Sequence, residues 1–245
     1  MKKNNQNILV IGGSGRIGNR IVKNLISLGY NVYVMDQKFN KILKKKMMIK
    51  CDLSNISSFN NKFDKLTKKI KTLKTVINAS YLKNKNWGQK FYKLKSNDVK
   101  ENLFLQLGTV ILTSQKIMEY FNKQKSGNLI LFSSIQGFSA PKFSHYKNTK
   151  MSSPIEYSAA KAGIINITKY MAKLSKGKKI KINCISPGGI LDKQPKSFVN
   201  KYNKSCLSKG LLDAEDLDGI IEFLVSDKSN FINGQNIIID DGWSL

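Results

Sequence analysis

Four apolar residues, Ile8 to Ile11, run without a linker into Gly12-Gly13-Ser14-Gly15-Arg16-Ile17-Gly18, and a stretch of helical periodicity follows at once. A β-branched run this short reads as a strand, glycines three apart turn the chain tightly, and Gly18 lets the next helix lie close against the turn. A strand that leaves through a helix needs a crossover to a second, parallel strand. The rest of the chain repeats that alternation. Strands are expected at Ile8–Ile11, Val32–Met35, Met47–Ile49, Thr75–Asn78, Asn128–Phe132, Ile180–Ile185 and Asn236–Ile239. Helices are expected at about 16–29, 55–72, 97–122, 155–176 and 213–226, with Asn55 starting the second and Gly29 and Gly177 stopping the first and fourth. Strands apolar throughout belong to a parallel sheet covered on both faces. The expected class is α/β: one doubly wound, mostly parallel seven-stranded sheet in a three-layer α/β/α domain spanning 1–245, with no repeat and no linker.

Three connections fit neither element. Residues 81–95 and 136–154 are long connections that follow strands, a length usually functional or disordered; Pro187 to Lys209, with a short helical pattern, lies beyond the strand ending at Ile185, where ligands bind in open α/β sheets.

The glycine turn has a chemical reading. Backbone N–H groups of Gly12, Ser14, Gly15, Arg16, Ile17 and Gly18 can approach a pyrophosphate, whose charge a helix N-terminus stabilises. Asp36 ends the second strand eighteen residues past Gly18, where a carboxylate accepts from the adenosine ribose hydroxyls and repels a 2′-phosphate. This favours NAD; Arg16 and Lys38 pull towards NADP. Asp52-Leu53 can meet the adenine, or Asp52 can cap the following helix. Asn78-Ala79 ends the fourth strand where small residues let adenosine pack.

Tyr157 and Lys161, four apart at the start of a long helix, share one face. A phenol is a weak base at neutral pH, and a neighbouring ammonium with a positive nicotinamide ring lowers its pKa. Ser133-Ser134 ends the fifth strand, Asn102 starts the apolar part of the preceding helix, and Asn183 through Ile190 close the sixth strand.

With these motifs in this order the chain resembles the short-chain dehydrogenase/reductase family over nearly its full length. The resemblance implies a Rossmann-like fold, commonly a homotetramer, and hydride transfer between NAD(P) and an alcohol or carbonyl carbon. It implies Tyr157 as general acid/base, Lys161 on the nicotinamide ribose, Ser134 on the substrate oxygen and Asn102 ordering a relay water near Lys161. The backbone at Pro187, Gly188 and Ile190 would meet the nicotinamide carboxamide. The glycine spacing is that of the family's extended members, so an epimerase or dehydratase without net redox stays open. Ile77, Ser80 and Asp241 depart from the family's usual residues, and the stretch between Ser134 and Tyr157 is longer than usual. The C-terminal half resembles a subgroup tied to flagellin modification and surface sugars, which implies a sugar or sugar phosphate substrate. A tetramer is expected through 102–121 and 157–174, with a dimer next.

Composition sets bounds. The formal charge is +26, yet arginine appears only at Arg16 and Arg20, and the lysines are spread along the chain, with runs at Lys44–Lys46, Lys68–Lys74 and Lys176–Lys181. That distribution suits a lysine-rich coding bias better than a nucleic-acid reader, so no specific nucleic acid is expected. Cys51, Cys184, Cys206 and the one histidine, His145, offer neither a zinc cluster nor a disulfide framework. No apolar run reaches membrane length, and a cytoplasmic protein is expected.

Overall fold

The structure, a computed structural model, describes residues 6–39 and 47–245; the Lys44–Lys46 run lies outside them. Strands β1 (Asn7–Ile11), β2 (Asn31–Asp36), β3 (Met48–Lys50), β4 (Thr75–Asn78), β5 (Ser126–Phe132), β6 (Lys179–Pro187) and β7 (Asn236–Ile239) form one sheet in the order 3-2-1-4-5-6-7. Every neighbouring pair is parallel. The order reverses between β1 and β4, which opens a crevice beyond their carboxyl ends.

Strand alternation feeds two cores. Leu9 and Ile11 of β1 face a cluster with Phe59 and Phe63 of α2 (Ile56–Lys69), Ile117 and Phe121 of α4 (Thr109–Gln124), and Ile164 of α5 (Ile155–Leu174). Ile8 and Val10 face the other side, against Ile21 and Leu25 of α1 (Arg16–Ser27) and Ile221 and Leu224 of α7 (Asp218–Val225). The expected three-layer sheet is therefore the fold of the protein. A third cluster, made by Ile135, Phe198, Tyr202, Leu211 and Trp243, sits beyond the carboxyl edge. Among the described residues no helix is long and apolar enough to cross a membrane.

Two expected helices differ in detail. The stretch 97–122 is α3 (Ser96–Leu103), a π-helical turn at Phe104–Gly108, then α4. The π turn inserts one residue into the helical repeat, a feature periodicity does not register. The stretch 213–226 opens as a 3-10 turn, Ala214–Leu217, with a reciprocal cap between Asp213 and Asp216, before α7 begins. Asn55 caps α2 as expected, accepting from the Ser58 N–H at 2.9 Å. The Pro187–Lys209 connection carries α6 (Lys196–Asn203).

Candidate active site

At the crevice, β1 turns back on β4. Gly12 has φ +74°, and a Cβ on it would lie 2.7 Å from the Ser80 Cα; one on Gly18 would lie 2.2 Å from the Gly12 carbonyl oxygen. Only glycine permits these approaches. The turn is held at its outer end by Asp36, whose carboxylate accepts from the Ser14 N–H at 2.9 Å and the Gln37 N–H at 2.7 Å. The Ser14 hydroxyl donates to the Lys38 carbonyl. Arg16, first residue of α1, reaches across to Asp192 at 2.5 Å.

These groups open a cleft of about 790 Å³ that continues past Tyr157 to Trp243. Gly12, Ser14, Gly15, Arg16, Ile17, Asp36, Leu53, Ala79, Pro187, Gly188 and Ile190 line it; Gly18, Asp52 and Asn78 do not. Gly18 acts through packing. Asp52 accepts from the Ser54 hydroxyl (2.7 Å) and N–H (3.0 Å) and from Gln37 (2.8 Å), bonds that hold its carboxyl below its ordinary pKa. Neither sequence reading is met: Asp52 does not line the cleft, and Asn55, not Asp52, caps α2; Asp52 instead holds the turn at Ser54. Asn78 is buried, and its Oδ1 accepts from the Ser80 N–H and hydroxyl, so Ser80, which departs from the family's glycine, ties down the β4 turn.

Beyond this half stand the reacting groups. Ser134 follows β5; its hydroxyl accepts from the Gln136 N–H at 3.2 Å, and it lines the cleft together with Tyr157. One turn along α5, Lys161 is 4% exposed; its Nζ donates to the Phe132 carbonyl at 3.0 Å and lies 5.5 Å from the Tyr157 ring centroid. The Ser133 hydroxyl donates to the Lys161 carbonyl at 2.8 Å, locking the end of β5 to α5. Burial pushes the Lys161 ammonium down to about 8. Burial also raises the Tyr157 phenol, with the Ser134 side chain pulling it back. The expected lowering of the phenol pKa includes the positive nicotinamide ring of a bound coenzyme; in the chain alone desolvation dominates.

Asn102 is fully buried but outside the cleft lining. Its Oδ1 accepts from the Asn84 N–H at 3.2 Å, and its Nδ2 lies 3.5 Å from Glu156, bracing the 81–95 loop against the start of α5. The structure does not bring this amide to the Lys161 ammonium by any hydrogen bond. The side chain that runs from this helix to the cleft wall is Gln106, on the π turn, which donates to the carbonyl of cleft-lining Leu82. Its signal in the sequence was one amide in the apolar run Leu103–Leu107.

The far half was not legible. Tyr81 and Trp87, from the 81–95 loop, meet the Tyr157 ring edge-on with centroids at 6.0 and 6.2 Å. Gln136, Tyr146 and Met151 come from the 136–154 connection, and Phe198, Tyr202 and Trp243 close the end. His145 is buried between the rings of Phe198, Tyr202 and Trp243 and pairs with the Ser205 hydroxyl at 3.1 Å. Burial lowers its pKa. Among the described residues no group of three His, Cys, Asp or Glu side chains is placed to hold a metal.

With this geometry, comparison with known proteins is informative. A family model described as "Enoyl-(Acyl carrier protein) reductase" matches residues 13–244. The "Post-translational flagellin modification protein A" of Campylobacter coli is 38% identical over 98% of this chain and 99% of its own. A short chain dehydrogenase from Leptospira borgpetersenii, solved with bound NAD+, is 28% identical with a TM-score of 0.90, covering 98% of this chain and 93% of that one. A 4-hydroxyisoleucine dehydrogenase complexed with NADH is 25% identical with a TM-score of 0.81, covering 98% of this chain and 99% of that one. The chain belongs to the short-chain dehydrogenase/reductase family of oxidoreductases.

Proposed function

We propose that this protein is an NAD-dependent oxidoreductase that interconverts an alcohol and its carbonyl, with Tyr157 as general acid/base. One observation carries the reading: Ser134 and Tyr157, with the Lys161 ammonium 5.5 Å from the Tyr157 ring centroid, line the same cleft that begins at the glycine turn.

The residues present fit the coenzyme. A turn in which a Cβ at Gly12 or Gly18 would strike backbone is shaped for close backbone approach by a pyrophosphate at the α1 N-terminus. Asp36 offers the ribose two acceptor oxygens already oriented by backbone N–H groups. The adenine side is walled by Leu53 and Ala79, and the carboxamide side by the backbone of Pro187, Gly188 and Ile190. NAD is favoured over NADP because a 2′-phosphate would meet the Asp36 carboxylate, and two relatives of solved structure carry NAD+ and NADH. When bound, the nicotinamide accepts a hydride from the carbinol carbon or returns one to the carbonyl.

The chain's own groups supply the rest. Ser134 donates to the substrate oxygen and holds it within reach of the Tyr157 hydroxyl. Tyr157 takes the alcohol proton on its phenolate oxygen in oxidation and gives it back in reduction. Lys161 hydrogen-bonds the nicotinamide ribose and adds positive charge next to the phenolate, which offsets the burial that raises the phenol. Asn102 is read as a brace for the relay region, acting through Asn84 and Glu156.

A sugar or sugar phosphate remains the substrate class favoured by the sequence, and the Campylobacter coli relative, named for flagellin modification, points the same way. Phe104, Ile111 and Tyr170 are exposed apolar residues of the π turn, α4 and α5, which supports a homotetramer, or next a dimer, built on those helices. The test is Tyr157→Phe: turnover falls about 10²–10⁴-fold while NADH still binds by fluorescence titration. Undiminished turnover in that variant sinks the assigned mechanism.

A further inference from the structure

The ionised residues lining the cleft are Arg16, Asp36, Lys38, Lys161 and Asp192. All five belong to the dinucleotide half or its border with Tyr157, and Arg16 and Asp192 neutralise each other. Past Tyr157, among the described residues, the lining holds no carboxylate, ammonium or guanidinium; the nearest cation at that end, Lys142, lies on the end wall, donating to the Trp243 carbonyl at 3.1 Å, and burial pushes His145 towards its neutral form. In a chain of net charge +26 that absence is informative. Beyond the reach of Lys161, a carboxylate or phosphate held against this neutral lining would face no charged lining partner, at a cost.

That space does contain neutral hydrogen-bonding groups arranged as a line. Ser134, which bonds the reacting oxygen, accepts from the Gln136 N–H at 3.2 Å. The Gln136 side-chain carbonyl accepts from the Ser153 hydroxyl at 2.5 Å, and its amide donates to the Tyr146 hydroxyl at 3.2 Å. These bonds fix which end of the amide is the donor and leave Gln136 a second N–H to give. Rings line it as well: Tyr81 edge-on to Tyr157, backed by Trp87 outside the lining, and Tyr202 stacked on Trp243 at 5.6 Å. Ring faces accept the C–H side of a hydroxylated ring, while a fixed amide reads its oxygens.

We infer that this cleft takes an uncharged polyhydroxyl unit, and that Gln136, fixed by Tyr146 and Ser153, reads the hydroxyl beside the reacting carbinol. This rests on the oxidoreductase reading above and narrows it: any anionic group of the substrate lies outside the cleft, away from the reacting carbon.

The test measures kcat/KM with NAD for four uncharged polyols (D-galactose, D-glucose, xylitol and myo-inositol), for cyclohexanol, and for lactate and gluconate. At least one polyol should exceed cyclohexanol by about tenfold or more, with both hydroxy acids below it. Gln136→Leu should shrink the polyol-to-cyclohexanol ratio about tenfold, mainly through KM, and Gln136→Lys should raise the hydroxy acids relative to the polyols. Thermal melts of both variants verify that they fold. A hydroxy acid preferred by the unaltered enzyme, or a ratio unmoved in Gln136→Leu, overturns the inference. NADH binding with no polyol turned over also overturns it and leaves the oxidoreductase reading standing; failure to bind NADH overturns both.

Discussion

The two halves of the cleft are built from different materials. The dinucleotide half is backbone: two glycines in contact with main-chain atoms, a carboxylate held by two N–H groups, and strand ends that meet at the switch point. The far half is side chains delivered by five separate segments: the 81–95 loop, the 136–154 connection, α6, the stretch at Leu211 and the stretch at Trp243. Backbone recognition needs particular residues at fixed spacing, whereas side-chain recognition needs only that some segment arrive. The first half should therefore be intolerant of a single added methyl, and the second should respond gradually.

The largest effect is expected at Gly18→Ala. A Cβ there falls 2.2 Å from the Gly12 carbonyl oxygen, and neither backbone segment can yield without moving the turn. Overpacking of this kind costs about 1–3 kcal/mol, and with the turn displaced NADH affinity should fall about a hundredfold. Tight NADH binding by Gly18→Ala in fluorescence titration would erase the contrast between the halves.

Lys161 sits on the border and gives the next effect. Its folded pKa is about 8, below the ordinary lysine value, because burial penalises the charge. A base with a depressed folded pKa releases its proton first in the native state. Between about pH 8 and the unfolded value near 10.4, the unfolded chain holds the extra proton and stability rises with pH, by up to roughly 1.4 kcal/mol per unit. Burial raises the Cys184 thiol to about 11, which gives the opposite slope once unfolded thiols begin to ionise. Urea melts of the protein and of Lys161→Met at pH 7.5, 8.5 and 9.5 isolate the lysine. The difference in stability between the two should change with pH in the stated sense; a constant difference removes the buried-ammonium argument.

At the opposite end of the coenzyme, Asp36→Asn deletes the negative charge and, with a single acceptor oxygen, keeps one of the two backbone bonds. The ratio of NADPH to NADH affinity should rise about tenfold, read in parallel titrations. No change would mean that the carboxylate anchors Ser14 without selecting the coenzyme.

The same contrast accounts for what was legible in the chain itself. The sheet, its helices and the placement of Ser134, Tyr157 and Lys161 followed from glycine spacing and strand–helix alternation, because both are local. Asn102 lies on the helix where it was expected; what periodicity did not register is the Phe104–Gly108 π turn that carries Gln106 to the Leu82 carbonyl at the cleft wall. The Tyr157 pKa in the chain alone is set by burial, a tertiary property, whereas the expected lowering includes the positive nicotinamide ring of the coenzyme. Tyr81, Gln136, Tyr146 and Trp243 left no pattern at all. Each is one aromatic or amide in a long connection, and only the tertiary fold brings them to one wall.

The smallest effect concerns how those long connections are held. The Ser152 hydroxyl donates to the Gly88 carbonyl at 2.7 Å, joining the 136–154 connection to the 81–95 loop at an exposed position. Solvent competes for both groups, so Ser152→Ala should cost only about 0.5–1 kcal/mol, with no detectable loss of NADH binding. Its effect should instead be local: amide hydrogens of 81–95 exchange faster, while those of β1 and β4 keep their protection. Because Tyr81 and Trp87 ride on that loop and touch Tyr157, a loosened bond should raise KM for the substrate more than for NAD. Equal changes in both constants would show that the two halves of the cleft are mechanically one, which is the result that would most directly break the comparison.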